Sequence, residues 1–435
     1  MPQHCYSRCL LYISSINKYL GLQHSFVMNQ NSIRSYTKAQ RYQADLLLFL
    51  CVFVIDAMSI PLSQNIKVAL STVLCGFIVL KDVANGKLFK DSYKTKWVLM
   101  PCLLLIIPQL LYSDFVLSYE SKILQIWAGY ILFKKIPKEL FTQKYVKLLY
   151  YICIISIPIW FSTVMGLNFW AWAPSSGDGQ YKTLFLYCVD TYGDNGRNNG
   201  PFWEPGVFQM YINIAVLFLL YSKKNINVKY LLVFVIALAT TYSTTGYICF
   251  ALVLITYYYD KSDSIKGYQF FLLMIGAVGV YVFFTTNLEL YDRVFGKFDS
   301  TSVANASMVI RVNEIIFYYE LWKSNLGYML LGAGATNAYN FVMGQHFIAD
   351  VFFEGSTQTT LRELASFGVV FTFIRLCLFY RFSKIFCKKI LARAIVVLIV
   401  IIMINTESMI YSMLFNCLWY LGANDIDNKI LPDNI

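Results

Sequence analysis

The feature that most constrains this chain is a succession of apolar runs, each near the length a helix needs to cross a membrane. A hydrocarbon core is ~30 Å thick, which corresponds to about 20 helical residues. Apolar residues make up 57% of the 435 residues, charged residues only 14%, and the mean hydropathy is +0.53. Soluble domains carry about 25% charged residues because water must wet their surfaces. The sequence therefore predicts an all-α polytopic bundle in a membrane.

Hydropathy predicts about twelve spans, and together they form a single transmembrane domain over residues 44–421. The predicted spans are 44–62, 66–80, 97–113, 115–133, 146–165, 205–221, 228–242, 245–259, 268–286, 359–381, 393–405 and 407–421. Residues 1–43 are predicted to be a cytoplasmic leader and residues 422–435 a cytoplasmic tail. The leader lacks the continuous apolar stretch of a signal peptide. Met28 is a candidate for the true start in place of Met1, since the sequence after it resembles an ordinary basic leader.

Positive charge is concentrated in short segments between the predicted spans. The net charge is +11, and the basic loops are 81–96, 134–147, 222–229, 260–267 and 381–393. Cytoplasmic loops of membrane proteins carry an excess of Lys and Arg. This distribution predicts a multi-pass protein of the inner (cell) membrane with both termini in the cytoplasm. It also argues against nucleic acid as the partner of the basic residues.

The same topology predicts two long external loops, residues 166–204 and 287–358. Connections of this length are usually functional or disordered. Apolar stretches such as 310–322 favour short ordered helices on the membrane surface. Of eleven cysteines, only Cys188 lies in either loop, so no disulfide within a loop is expected.

The most informative stretch is R-N-N-G-P-F-W-E-P-G, residues 197–206. Its Asn-Asn-Gly sequence is typical of a sharp turn. Pro205 is predicted to be the first residue of a helix, with Glu204 as its cap. The stretch therefore presents one guanidinium, from Arg197, and one carboxylate at the mouth of a helix.

Each of these side chains also has a purely structural interpretation. Glu204 can act only as an anion at the positive end of a helix, worth about 0.3–1 kcal/mol, or it can orient Arg197 or a substrate hydroxyl. Proton abstraction is a secondary role because a helix N-terminus lowers the pKa of a carboxylate. Arg197 can be a solvated loop residue or a lipid-headgroup contact. Trp203, like Trp170 and Trp172, is more often an interfacial anchor than a platform for a sugar.

The string R-N-N-G-P-F-W-E-P-G-V-F, followed directly by a predicted span, resembles the hallmark segment of O-antigen and capsule repeat-unit polymerases. Weaker matches follow in the expected order at 241–246, 311–314, 331–334 and 360–368. The resemblance implies a GT-C-like membrane glycosyltransferase that uses no metal or other cofactor. It would join undecaprenyl-pyrophosphate-linked oligosaccharides at the outer face of the cell membrane. The lipid bilayer and a polysaccharide chain-length regulator are the other implied partners.

The implied chemistry has two requirements: stabilising the charge of a departing pyrophosphate, and removing a proton from a sugar hydroxyl. Arginine suits the first because its planar fork binds phosphate oxygens in a bidentate way. Arg197, Glu204 and Arg311 are therefore the predicted catalytic residues, and the two arginines must meet over one cavity. The predicted substrate-binding residues are Trp203, Arg293, His346 and Arg362. The second loop also offers Glu314, Asp350 and Glu354.

O-antigen ligases belong to the same superfamily and are one alternative. They carry a His-Asn pair ahead of Leu-x-x-Leu-x-x-x-Gly, whereas this chain has Thr357 and Gln358 ahead of residues 361–368. The missing histidine favours a polymerase. His346 is the only histidine beyond the leader, and a lone histidine is more often a surface or packing residue.

A flippase or other transporter of lipid-linked oligosaccharides is the second alternative. Asp56, Glu120 with Lys122, and Glu407 are candidate intramembrane charges, which transporters often use. Against this alternative, the sequence shows no internal repeat, and polar residues concentrate in the predicted loops. No metal site is expected, because the sole Asp-x-Asp, 425–427, lies in the predicted tail.

Overall fold

The computed structural model describes residues 36–423 except 59, 87–91, 115–116, 168–169, 177–179, 185, 192–195, 223–225, 262–304 and 349–357. The chain divides into residues 1–42 and residues 43–435. In the first unit, Thr37 and Gln40 form a capping box. The Gln40 N–H donates to the Thr37 hydroxyl (3.2 Å) and the Thr37 N–H donates to the Gln40 side chain (3.0 Å). This pair defines the start of the first helix.

The described residues are mostly helical. The helices are α1 (Lys38–Phe49), α2 (Gln64–Ala84), α3 (Ser92–Tyr112), α4 (Leu117–Lys135), α5 (Lys138–Val164), α6 (Pro205–Leu220), α7 (Val228–Thr240), α8 (Thr244–Lys261), α9 (Asn305–Lys323), α10 (Leu326–Leu331), α11 (Ala335–Ile348), α12 (Thr359–Ser383), α13 (Ile390–Ile404) and α14 (Met413–Cys417). A π-helical turn (Leu50–Val54) extends α1, and a 3-10 turn (Leu418–Tyr420) follows α14.

Helices long and apolar enough to cross a membrane are present. Among the described residues they are Thr95–Tyr112, Lys138–Val164 and Thr359–Ser383, and shorter apolar helices are Pro205–Leu220, Val228–Thr240 and Ile390–Ile404. Large apolar side chains such as Phe161 and Phe373 are more than half exposed on these helices. Such faces suit a lipid environment, because extended apolar surface is rare on soluble monomers.

Two predicted spans differ from the structure. Residues 407–421 form only the short helix α14 and a 3-10 turn, so the prediction of one continuous helix there is wrong. Tertiary contacts explain the difference, since the Met409 N–H donates to the Thr359 hydroxyl (2.9 Å) rather than within a helix. In predicted span 44–62, helical structure ends with the π-helical turn at Val54. Predicted span 268–286 lies outside the described residues.

The predicted external loop 166–204 contains a small antiparallel sheet, so the described chain is not purely α-helical. Its three strands are β1 (Ser175–Ser176), β2 (Tyr181–Leu184) and β3 (Tyr187–Asp190), in the order β1-β2-β3. In β3, burial raises the pKa of the Tyr187 hydroxyl and of the Cys188 thiol. Both groups therefore stay protonated at neutral pH.

Every residue of the helix α6 is buried. Its sequence is apolar all round, which is typical of a helix surrounded by others. It packs against α5, α7 and α8. Because α6 begins at Pro205, this packing fixes the position of the motif at 197–206.

The long helix α12 is interrupted at Gly368, where φ is 78° and ψ is 176°. The carbonyls exposed by the break accept hydrogen bonds from the segment after α10. The Ala333 N–H donates to the Ala365 oxygen (2.8 Å), and the Gly334 N–H donates to the Ser366 oxygen (3.1 Å). Non-helical backbone at membrane depth requires partners of this kind. The motifs at 331–334 and 360–368 are therefore one structural unit.

Candidate functional site

The motif at 197–206 is built around the side chain of Asn198. Its amide donates to the hydroxyls of Ser156 (3.2 Å) and Thr240 (2.9 Å), and its carbonyl oxygen accepts the Gly200 N–H (3.0 Å). Gly200 has φ = 55°, which glycine adopts without strain. The turn predicted from Asn-Asn-Gly is confirmed, and it joins α5 to the end of α7.

Arg197 is half-buried and binds the end of α7. Its Nε donates to the Thr241 carbonyl (3.1 Å) and its Nη2 to the Tyr242 carbonyl (3.2 Å). Carbonyls at a helix C-terminus lack intrahelical donors, and an arginine satisfies them well. Arg197 therefore anchors the motif to the end of α7, a role that neither interpretation from the sequence included. That Arg197 and Arg311 lie over one cavity stays a prediction.

The start of α6 is as predicted. Pro205 is the first helical residue, and Glu204 occupies the preceding position. Glu204 is thus the N-cap residue, as predicted, and its backbone carbonyl accepts the N–H groups of Val207 (3.1 Å) and Phe208 (3.2 Å), whereas its exposed side chain makes no capping hydrogen bond. Trp203 beside it is half-buried.

A different carboxylate reaches the start of α6. A Cβ added at Gly206 would lie 2.8 Å from Oε1 of Glu407, so the absence of a side chain there lets the carboxylate approach. Nη2 of Arg311 lies 3.2 Å from the same Oε1. The Glu407 side chain is 8% exposed and that of Arg311 is 25% exposed. Glu407 thus joins the motif at 197–206 to α9.

The backbone around Glu407 is fixed by the start of α12. The Thr359 hydroxyl donates to the Glu407 carbonyl (3.2 Å) and accepts the Met409 N–H (2.9 Å). The Thr360 N–H donates to the side chain of Asn405 (2.8 Å). We call the cluster of Gly206, Arg311, Thr359 and Glu407 the Glu407 junction. It brings together two of the segments that carry the family resemblance, 197–206 and 311–314, with Thr359, which directly precedes a third at 360–368.

Arg362 lies one turn further along α12 and is half-buried among tyrosines. Its guanidinium carbon is 5.5 Å from the ring centroid of Tyr339. Tyr119, Tyr318 and Tyr411 are its electrostatic neighbours. Within the described part of the chain, no carboxylate forms an ion pair with it. An arginine in such surroundings can bind an anion through hydrogen bonds shared with hydroxyl groups.

A buried charge triad lies beside the break in α12. Nζ of Lys122 donates to Glu363 (2.5 Å), and Arg375 forms an ion pair with the same carboxylate. All three side chains are at most 4% exposed. Glu363 and Arg375 lie on opposite sides of Gly368, so the ion pair spans the break. Buried ionisable groups of this kind mark functional or strongly structural positions in membrane proteins.

Four of the residues named from the second predicted loop lie wholly or partly outside the described residues. Arg293, Asp350 and Glu354 lie outside the described residues. His346 belongs to α11, and its side chain is also outside the description. In the described ranges, no group of three His, Cys, Asp or Glu residues could hold a metal ion.

Sequence reasoning missed the role of Glu407 and did not connect Lys122 with Glu363 and Arg375. The available signal was a charged residue inside a predicted apolar span, which identified Glu407 and Lys122 without their partners. No family model, no curated protein and no solved structure matches this chain.

Proposed function

We propose that the protein is a membrane glycosyltransferase that polymerises undecaprenyl-pyrophosphate-linked oligosaccharide repeat units into a surface polysaccharide, O-antigen or capsule. The observation that carries this proposal is the Glu407 junction. There, the segments at 197–206 and 311–314 meet at the carboxylate of Glu407, and Thr359, which directly precedes the segment 360–368, donates to the backbone carbonyl of Glu407. Segments that resemble a family's motifs and also meet in space are more informative than either observation alone.

In the proposed reaction, the acceptor hydroxyl oxygen forms a bond to the anomeric carbon of the donor sugar. The bond from that carbon to the diphosphate oxygen breaks, and the configuration inverts. The lipid diphosphate leaves with the electron pair, and the hydroxyl proton passes to a base. Preorganised donors that stabilise such charge are worth about 2.7–4 kcal/mol each.

Arg311 is the proposed principal donor to the leaving diphosphate, since its guanidinium is held in one orientation and is partly accessible. Arg362, half-buried among tyrosine hydroxyls, is proposed to bind the same lipid-linked substrate. Arg197 is proposed to contribute from the first loop, with its orientation set by the carbonyls of Thr241 and Tyr242. Glu204 is proposed to orient the acceptor hydroxyl.

The proposed topology has about twelve spans in a GT-C-like arrangement in the inner membrane, with both termini in the cytoplasm. The loops 166–204 and 287–358 then face outward. The polyprenyl tails would lie against the apolar faces of the bundle, where side chains such as Phe161 and Phe373 are exposed.

The test is Arg311→Ala in the native organism, with the polysaccharide ladder read on a gel. We expect normal protein levels and single-repeat glycans in place of long polymer. Lys323→Ala is the matched control, because Lys323 is an exposed cation on the same helix. Long polymer at the wild-type level in the Arg311→Ala strain would contradict the proposal.

One observation favours the alternative of a flippase or other transporter. A broken helix with a buried charge triad across the break is a common arrangement in transporters. The deletion strain separates the alternatives. Loss of a polymerase leaves one repeat on the acceptor core, loss of a ligase leaves none, and loss of a flippase stalls the units inside the cell.

A further inference from the structure

Glu407 contacts three elements of the fold. Its carboxylate faces Arg311 of α9 and the backbone of Gly206 at the start of α6. Its own carbonyl is held by the Thr359 hydroxyl at the start of α12 (3.2 Å). The side chain of Glu407 therefore connects α9 with the start of α6, and its backbone carbonyl adds the start of α12.

Glu407 lies beside two sources of positive charge. A helix N-terminus carries a partial positive charge, and the Glu407 carboxylate lies against the first turn of α6. Arg311 supplies a full positive charge at 3.2 Å. In return, the carboxylate holds the Arg311 guanidinium in one orientation, since a charge-assisted hydrogen bond is directional.

We propose that Glu407 is a positioning residue that orients Arg311 for the lipid diphosphate. This inference rests on the proposed function. Glu407 touches Arg311 rather than the reacting atoms, so its effect passes through the arginine. Arg311 is the more accessible partner, and of the five N–H donors of its guanidinium the described contact with Glu407 uses Nη2.

The proposal predicts a separation of kinetic effects. Replacing the carboxylate by an amide keeps its shape and the close approach to Gly206, but removes the charge that orients Arg311. Attraction between Arg311 and the anionic substrate then persists, so KM should stay within about threefold. Misplacement of one catalytic group by about 1 Å can cost about 10²-fold in rate. We therefore expect kcat of Glu407→Gln to fall about 10- to 100-fold.

A conservative variant separates positioning from packing. Glu407→Asp keeps the charge and changes the length, whereas Glu407→Gln keeps the length and removes the charge. If the charge orients Arg311, the Asp variant should be at least threefold more active than the Gln variant. If Glu407 only fills space, the Gln variant should equal the wild type and the Asp variant should be the weaker one.

The experiment is a double-mutant cycle on the purified full-length protein, using a synthetic undecaprenyl-diphosphate oligosaccharide as substrate. Rates are measured for the wild type, Arg311→Ala, Glu407→Gln and the double variant, with Glu320→Gln, an exposed carboxylate on α9, as control. We expect the double variant to match Arg311→Ala within about twofold, because coupled residues are not additive. Additive losses, or a Gln variant as active as the Asp variant, would overturn the positioning role.

Different activity results would contradict the positioning role of Glu407 and the proposed function. If Arg311→Ala is inactive while Glu407→Gln retains the wild-type rate, the diphosphate role of Arg311 survives and only the positioning role falls. If Arg311→Ala itself retains the wild-type rate, both the positioning role and the proposed site are wrong.

Discussion

Two substitutions in the buried charge triad should change the free energy of unfolding very differently. Lys122, Glu363 and Arg375 carry two positive charges and one negative charge, and their side chains are 0%, 2% and 4% exposed. Glu363→Gln leaves two buried cations next to an uncharged amide. Removing one partner of a buried ion pair typically costs about 3–5 kcal/mol, and here two cations lose the same partner. We expect the free energy of unfolding to fall by at least about 3 kcal/mol.

Lys122→Met should behave differently. It removes the excess positive charge, fills a similar volume and leaves Glu363 paired with Arg375. Replacing buried charge by an apolar side chain of similar size is often neutral or stabilising. The Met side chain would also face the rings of Phe367 and Phe371, which lie near the Lys122 ammonium. We expect a change within about 1 kcal/mol, or a gain in stability.

The assay is unfolding of the detergent-purified protein, followed by heat and by denaturant. Lys135→Met is the control, because Lys135 pairs with Asp82 (2.7 Å) but is 37% exposed, and exposed pairs contribute at most about 1 kcal/mol. We expect the free energy of unfolding of Glu363→Gln to be far below that of the other two variants. Equal destabilisation by Lys122→Met and Glu363→Gln would refute the argument from charge balance.

Two further predictions concern backbone conformation and thiol chemistry. Gly368→Ala should destabilise the protein by about 1–3 kcal/mol or more, because its φ is positive and its Cβ would lie 2.2 Å from the Leu330 carbonyl oxygen. Gly344→Ala, where a Cβ meets nothing within 4 Å in α11, should be neutral or stabilising in the same unfolding measurement. Because burial raises the pKa of the Cys188 thiol, its thiolate fraction at pH 8 is low. Maleimide labelling of Cys188 should therefore be slow in the folded protein and fast after unfolding, and fast labelling of the folded protein would contradict its burial.

The helices that sequence reasoning located best are those with local boundary signals. The apolar runs predicted at 205–221 and 228–242 correspond to α6 and α7 within two residues. Pro205 begins the first, and the Asn227 side chain caps the second by accepting the Lys229 N–H. Such signals act within one turn of the chain, so a single sequence reveals them.

The predicted span at 407–421 failed for the opposite reason. Its apolar residues are buried in the protein, and Ser412 begins a short helix after an irregular stretch. The competing hydrogen bonds come from Thr359, about 50 residues earlier in the chain, and hydropathy carries no information about them.

The candidate site shows the same limit. Local sequence suggested that Glu204 would hold the start of α6, since it directly precedes Pro205. The carboxylate that the structure brings to that position is that of Glu407, about 200 residues later in the chain. Likewise, the ion pair between Glu363 and Arg375 requires the break at Gly368, which a helical periodicity does not predict.

The central claim is that Arg311 and its surroundings catalyse sugar transfer between lipid-linked units. The most direct measurement reconstitutes the purified protein in lipid vesicles with a synthetic undecaprenyl-diphosphate repeat unit and follows product length and released lipid diphosphate. We expect products of two or more repeats from the wild type, with one lipid diphosphate released per bond, and formation of both slowed about 10²- to 10³-fold in Arg311→Ala. Movement of intact units across the vesicle membrane without any longer product would contradict it.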